Sequence, residues 1–354
     1  MPRVAVIGGT GYGGAELIRL LLPHSGVTLS RVTSIDRVDE PLEAVHRSLT
    51  RTGLTFQNIP PAEAGQDMDV VFLALLHKVS ATLAPELSAM SARVIDLSGD
   101  FRLRDAEAYA EYYGGPHPHP DRLGTFVYGL PELFREQIAT ARRVASPGCF
   151  ATTITLGLLP LAKAGMLRGP IHTVAATGSS GSGAYARDGT HHPLRAGNLK
   201  GYKPLVHQHR PEVEQTLRDA CIAGGHEPAL SLQFVPVSAP LTRGILANSF
   251  VEVDASISAE QIDETMRTFY RDAAFVRLLG DGQQAEVVAV KGSMWVDLSW
   301  TVGGVDATTG RRQVLVSTAL DNLVKGGAGQ AVQAMNIMLG LPERTGIDAP
   351  ALWP

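Results

Sequence analysis

The chain opens on a short apolar run, Val4-Ala5-Val6-Ile7, followed by a glycine-rich stretch and then by Leu17, Leu20 and Leu21 on one helical face. A buried strand, a glycine turn and a helix predict the first half of a βαβ unit. Further strand-like runs at 27–34, 70–75 and 93–97 extend this to a parallel, doubly wound sheet. After Pro147-Gly148 the pattern changes. Runs at 172–177, 230–237, 244–253, 286–290, 295–302 and 313–318 are long and alternating, which predicts a mostly antiparallel sheet with one covered face. Ser258 to Gln261 has capping-box form ahead of a helix expected to end near Phe275, and a last helical stretch covers 329–339. The expectation is an α/β domain over 1–148 and an α+β domain over 149–325, with the segment 326–354 returning to the first.

Composition narrows the class. With 354 residues, 44% hydrophobic, 19% charged and 37 glycines, the chain has the profile of an ordered α/β enzyme of two domains. A net charge of -4, from 35 acidic and 31 basic residues spread along the chain, gives no footprint for nucleic acid or an anionic membrane. The first residues lack the apolar stretch of a signal peptide and no apolar run reaches membrane-spanning length, so a cytoplasmic location is expected. The two cysteines, Cys149 and Cys221, sit in contexts too different to suggest a disulfide framework.

The stretch Gly8-Gly9-Thr10-Gly11-Tyr12-Gly13-Gly14 follows the first strand and opens a helix, where glycine permits a tight turn and lets backbone amides reach a pyrophosphate. At the end of the second strand, where an acidic residue would hold the ribose of NAD, the chain reads Ser34-Ile35-Asp36-Arg37. Ser34 and Arg37 suit a 2′-phosphate, so NADP is the expected cofactor, with Asp36 turned to solvent.

Ser146-Pro147-Gly148-Cys149 places a thiol at the start of an apolar stretch that reads as helix through Leu159, with Pro160 expected to kink or end it. Amide groups at a helix N-terminus favour thiolate, the form that attacks carbonyl carbon. Cys221, inside Leu217-Arg218-Asp219-Ala220-Cys221-Ile222, reads as an ordinary buried residue. Three histidine pairs compete as base: His117 with His119, in what reads as a rigid surface loop, His191 with His192, and His207 with His209. None has enough further ligands at suitable spacing for zinc, and no metal is expected.

At this point the chain resembles the N-acetyl-γ-glutamyl-phosphate reductase family. The motifs are Gly8 to Gly14, Val94-Ile95-Asp96-Leu97-Ser98-Gly99-Asp100-Phe101-Arg102-Leu103, Tyr128-Gly129-Leu130-Pro131-Glu132-Leu133, Pro147-Gly148-Cys149, His207-Gln208-His209-Arg210-Pro211-Glu212, Thr242-Arg243-Gly244-Ile245-Leu246 and Asp321-Asn322-Leu323-Val324-Lys325-Gly326. They occur in the family's order over nearly the whole length. The resemblance implies a Rossmann-like NADP domain, an α+β catalytic domain of the semialdehyde-dehydrogenase type, and Cys149 as nucleophile with His207 as acid-base partner. It further implies that Arg102, His209 and Arg243 bind substrate. Cofactor contacts would come from Gly8, Thr10, Gly11, Tyr12, Gly13, Gly14, Ser34, Arg37, Ser98, Ser179, Gly181, Ser182 and Asn322. The implied enzyme is a homo-oligomeric, NADP-dependent acyl-phosphate reductase of arginine biosynthesis that forms a thioester on Cys149.

A second resemblance points to the carrier-protein-linked 2-aminoadipyl-phosphate reductases of lysine biosynthesis, through Thr190-His191-His192-Pro193-Leu194-Arg195-Ala196-Gly197 and Tyr202-Lys203-Pro204. Phe150 after the cysteine and the Arg210-Pro211-Glu212 ending favour the arginine branch. A phosphate-independent aldehyde dehydrogenase and a non-catalytic NADP-sensing regulator are the rival classes.

Overall fold

In the computed structural model, which describes residues 1–280 and 282–353, the chain divides into two compact units. One comprises Met1–Gly148 and Gly327–Ala349; the other comprises Cys149–Gly326 and the tail from Pro350. Residues 350–353 were expected with the first unit. They pack instead with the second, where the Leu352 amide donates to the Lys291 carbonyl at 2.9 Å and the Leu352 side chain lies over Gly292. Pro354 lies outside the described residues.

The first unit holds seven strands, β1 (Arg3–Ile7), β2 (Thr28–Thr33), β3 (Phe56–Gln57), β4 (Val70–Leu73), β5 (Arg93–Asp96), β6 (Val127–Tyr128) and β7 (Arg143–Ala145), in the order 3-2-1-4-5-7-6 and all parallel. The apolar runs are explained by position: all four residues of β4, and Val4 to Ile7 of β1, are buried at the centre of the sheet. Leu17, Leu20 and Leu21 form the buried side of the helix Tyr12–Leu21. The late helix Gly329–Met338 belongs to this unit, packing against Pro131–Thr140 and Tyr12–Leu21.

The second unit also holds seven strands: β8 (Arg168–Thr177), β9 (Lys200–Gly201), β10 (Ser231–Ser238), β11 (Ile245–Asp254), β12 (Val276–Leu278), β13 (Val296–Val305) and β14 (Arg311–Leu320). Their order is 12-13-14-11-8-10-9. The long pairs β11–β14, β11–β8 and β13–β14 are antiparallel, whereas β8–β10 and β12–β13 are parallel. The helix Cys149–Lys163 is buried from Phe150 to Ala162, packed on β11 and β14 and flanked by the helices His209–Ala223 and Ala259–Phe269. A helix apolar on every side belongs in such a place.

Three sequence expectations fail here. Residues 286–290 form turns, not a strand: Val287 fills the space over Gly244 and Val290 is buried, so the apolar run covers a loop's inner side. The capping box at Ser258 and Gln261 is formed, but its helix ends at Phe269, and Val276–Leu278 pairs as β12. Pro160, expected to kink or end the helix, does not end it: the helix runs on to Lys163. Proline at 160 leaves the Leu156 carbonyl without its usual donor, and the Tyr270 hydroxyl donates to that oxygen.

Candidate active site

The glycine turn of the first unit is tied down at its start, where the amides of Gly8 and Gly9 donate to the Thr33 carbonyl at 3.2 and 3.0 Å. Gly8 has φ +89°, and a Cβ there would stand 2.7 Å from the Ala74 carbonyl oxygen. A Cβ on Gly14 would meet the Gly8 oxygen at 2.6 Å, so glycine lets the helix close on the strand. Gly11 and Gly13 face open space, and the helix Tyr12–Leu21 starts at Gly11 without a side-chain cap. Exposed, uncapped amides beside glycines that crowd nothing fit a pyrophosphate.

The remaining first-unit residues are placed as follows. Ser34 is buried, its hydroxyl accepting the amides of Asp36 and Arg37 at 3.1 and 3.2 Å, while the exposed Arg37 reaches Glu40 at 3.4 Å. Ser98 is also buried and donates to Asp96 at 2.6 Å. Burial raises the Asp96 carboxyl to about 6. Arg102 donates through Nε to the Ser146 carbonyl at 2.7 Å and through Nη2 to the Leu97 carbonyl at 2.8 Å, bracing the segments that follow β7 and β5. His117 was expected on a solvated loop; it is buried instead, its ring edge-on to Phe101 and Tyr109 at 5.4 and 4.8 Å.

In the second unit Cys149 is the first residue of its helix, the position where unpaired amides favour negative charge on sulfur. Around it stand three groups. Gly326 comes so close that a Cβ there would lie 2.9 Å from that of Cys149. Burial raises the phenol of Tyr202, the charge of Cys149 adds to that shift, and the Arg195 guanidinium opposes it, which places the phenol within electrostatic reach of both. Phe150, next in the helix, meets the edges of the His207 and His209 rings at 5.4 and 6.1 Å. The Tyr202 and His207 rings are 5.8 Å apart.

His207 is 4% exposed, and burial, with Lys203 adding its charge, lowers its imidazole to about 3. It is therefore neutral near pH 7. Its Nδ1 accepts the His209 amide at 3.1 Å, so the ring proton resides on Nε2 and Nε2–H is the group left to act. His209 opens the helix His209–Ala223 with its ring 4.8 Å from that of His207.

The turn Ser179–Ser182 follows β8, with its Ser180 hydroxyl 3.0 Å from Asn322 Nδ2 and Asn322 Oδ1 accepting the Gly244 amide at 2.7 Å. Gly181 lies over the same amide group. Beside Asn322, Asp321 pairs with Arg243 at 3.4 Å and accepts the Gly292 amide at 2.7 Å. The structure thus groups Cys149, His207 and His209, and separately Ser179, Gly181, Ser182, Asn322 and Arg243. Cys221 is buried inside its helix and burial raises its thiol. His191 and His192 are exposed, and among the described residues no cluster of histidine, cysteine and carboxylate suits a metal.

Sequence reasoning gave no role to Arg195, Tyr202, Asp321 or Gly326. All four lie inside motifs quoted above, but their neighbours come from distant strands, and spacing carries no sign of that.

A family model described as "Semialdehyde dehydrogenase, NAD binding domain" matches residues 3–141, and "Semialdehyde dehydrogenase, dimerisation domain" matches residues 149–322. An N-acetyl-gamma-glutamyl-phosphate reductase of Frankia casuarinae is 43% identical over 99% of both chains, and one of Citrifermentans bemidjiense is 39% identical over 100% of both. A Thermomicrobium roseum protein with the provisional name LysW-L-2-aminoadipate 6-phosphate reductase is 42% identical over 99% of both. Among solved structures, aspartate semialdehyde dehydrogenase II of Vibrio cholerae shares the fold, with TM-score 0.70 at 18% identity over 96% of this chain and 98% of that one. Matched in both units and aligned over its whole length, the chain belongs to the semialdehyde dehydrogenase family of NAD(P)-binding oxidoreductases, on the branch that N-acetyl-γ-glutamyl-phosphate reductases share with the aminoadipate 6-phosphate enzyme.

Proposed function

We propose that the chain reduces N-acetyl-γ-glutamyl phosphate to N-acetylglutamate semialdehyde and phosphate, using NADPH and a thioester on Cys149, as a step of arginine biosynthesis in the cytoplasm. The observation that carries this reading is a thiol at the first position of a buried helix, grouped with a neutral histidine that presents Nε2–H. The Cys149 sulfur attacks the acyl carbon, the carbon–oxygen bond to phosphate breaks, and phosphate leaves with the electron pair. The nicotinamide supplies the hydride that reduces the acyl group. His207 Nε2–H hydrogen-bonds to the carbonyl oxygen as negative charge gathers on it, first as the thioester forms and again once hydride has been delivered; that oxyanion then re-forms the carbonyl as the carbon–sulfur bond breaks, its electron pair leaves with the Cys149 thiolate, and no net proton is needed. Arg243 and His209 lie in the same unit to orient the substrate; Arg102 holds the backbone that leads into Cys149.

The Gly8–Gly14 turn and the helix start at Tyr12 hold the dinucleotide's pyrophosphate, with Ser179, Gly181, Ser182 and Asn322 assigned to the nicotinamide end. Arg37, exposed beside the buried Ser34, supports NADP over NAD through the 2′-phosphate. The match to a dimerisation domain, and the half-exposed Val174 and Phe250 on the open face of the second sheet, support a homo-oligomer.

The second reading is reduction of carrier-linked 2-aminoadipyl phosphate. It rests on the Thermomicrobium relative and on residues 190–197, a largely exposed segment that carries the short helix His192–Arg195. The test is NADPH and NADH oxidation by the purified protein with each acyl phosphate, repeated with Cys149→Ser. Cys149-dependent turnover of the free acetylated substrate with NADPH is expected. Turnover of the carrier-linked substrate alone selects the second reading, and silence with both, alongside tight NADPH binding, selects the regulator. Phosphate-independent oxidation of the semialdehyde selects the aldehyde dehydrogenase.

A further inference from the structure

The least accounted-for charge in the second unit is Arg195. Its Nη2 donates to the Thr177 carbonyl at 2.9 Å and its Nη1 to the Ser238 hydroxyl. Thr177 and Ser238 are register partners at the carboxyl ends of the parallel strands β8 and β10, and β8 runs directly into the Ser179–Ser182 turn. β9, paired to the end of β10 at Ser238↔Lys200, delivers Tyr202 to the same place.

Two features separate this arginine from a surface ion pair. No carboxylate among the described residues pairs with it, although it is partly buried; Tyr202 is the one charged or titratable neighbour that acts on it. Its Nε–H is sealed from solvent and meets no acceptor among the described residues. An arginine fixed by two bonds, lacking a counter-ion and retaining a spare N–H, is built to receive an anionic oxygen. Arg243 differs, because Asp321 already neutralises it at 3.4 Å.

We propose that Arg195 is a substrate-binding residue that holds the carboxylate of the acyl substrate, fixing the end of the molecule opposite the carbon attacked by Cys149. This rests on the reductase reading but not on the branch, since glutamyl and aminoadipyl substrates both carry a free carboxylate beside the substituted amine. Tyr202 lies within electrostatic reach of both the guanidinium and the thiol, which puts the proposed carboxylate contact and the nucleophile in one neighbourhood. The phosphate, which must leave, is not the group held.

The experiment is the reverse reaction, with NADP, phosphate and N-acetylglutamate semialdehyde as substrates, for the wild type, Arg195→Lys and Arg195→Gln. Loss of one charge-assisted contact is expected to raise KM for the semialdehyde about 10- to 100-fold in Arg195→Gln, less in Arg195→Lys, with KM for phosphate and kcat nearly unchanged. With 4-acetamidobutanal, the same aldehyde without its carboxylate, the wild type and Arg195→Gln are expected to be alike. A rise in KM for phosphate would assign the residue to the leaving group and overturn the proposal. An equal loss with both aldehydes, together with a lowered melting temperature, would make Arg195 a brace for β8 and β10 and overturn it as well. A silent wild type would refute the reductase reading instead; turnover of the carrier-linked semialdehyde alone moves the same comparison to that substrate and to its analogue without the carboxylate.

Discussion

In the proposed cofactor site of the first unit the groups offered to a ligand are backbone amides in one contiguous turn, and the work of the side chains there is to be absent. In the proposed substrate site of the second unit they are side chains from residues 149, 195, 202, 207 and 209, gathered by a helix start, a short edge strand and the segments beside it. The first design depends on steric room at single atoms. The second depends on burial, which keeps His207 neutral, and on an Arg195 that meets no carboxylate among the described residues. A turn of the first kind binds many nucleotides with one geometry, whereas a site of the second kind is specific because each group is set by a different element.

If the contrast is correct, changes in the second unit alter chemistry and changes in the first alter binding. The largest effect is expected at His207. His207→Asn should lower kcat by roughly 100- to 10,000-fold while the Kd for NADPH, measured by fluorescence titration, stays the same. His207 also sets a pH dependence of stability. Its folded-state value of about 3 lies below the ordinary 6.5, so the unfolded chain takes up the proton first as pH falls. Stability is unaffected by this group above about pH 6.5 and declines as pH drops from there toward 3. Urea midpoints for the wild type should therefore fall more steeply between pH 7 and pH 4 than those of His207→Gln, and equal slopes would contradict the burial argument.

Next in size is a matched pair in the glycine turn. Gly14→Ala places a methyl 2.6 Å from the Gly8 carbonyl oxygen, where backbone must move, whereas Gly11→Ala meets nothing within 4 Å. Gly14→Ala is expected to weaken NADPH binding at least tenfold and to lower the melting temperature, with Gly11→Ala lowering neither by comparable amounts. The smallest effect is reserved for the scaffold beneath the thiol. Tyr270→Phe removes the donor that serves the Leu156 carbonyl and should cost about 1–3 kcal/mol in urea unfolding, with KM for both substrates unchanged.

The same contrast explains what could be read in advance. The shape of residues 8–14 was legible because turn and helix start lie in one stretch, and Val4 to Ile7 and Leu17 to Leu21 are patterned by a single sheet and a single helix face. Cys149 could be placed at a helix start for the same local reason. β3 and β6, two residues each, carry no period to detect, and 286–290 misleads because a loop packed by Val287 and Val290 has the apolar content of a strand. Pro160 looked like a helix terminus because the compensating hydroxyl of Tyr270 is 114 positions from the carbonyl it serves. Arg195 and Tyr202 gave no signal because their meaning arises from the β8–β10 and β9–β10 pairings. His117 looked solvated among its prolines because Phe101 and Tyr109, which enclose it, lie earlier in the chain.

The central claim is that Cys149 carries the acyl group. It is tested most directly by mixing the wild type and Cys149→Ser with N-acetyl-γ-glutamyl phosphate in the absence of NADPH, quenching in acid and measuring intact masses together with released phosphate. The account predicts a wild-type mass increased by one acyl group, mapped to the peptide containing Cys149, with one equivalent of phosphate released and the adduct lost on adding NADPH; Cys149→Ser should gain nothing. An adduct on any other residue, or NADPH-dependent turnover by Cys149→Ser, would contradict it.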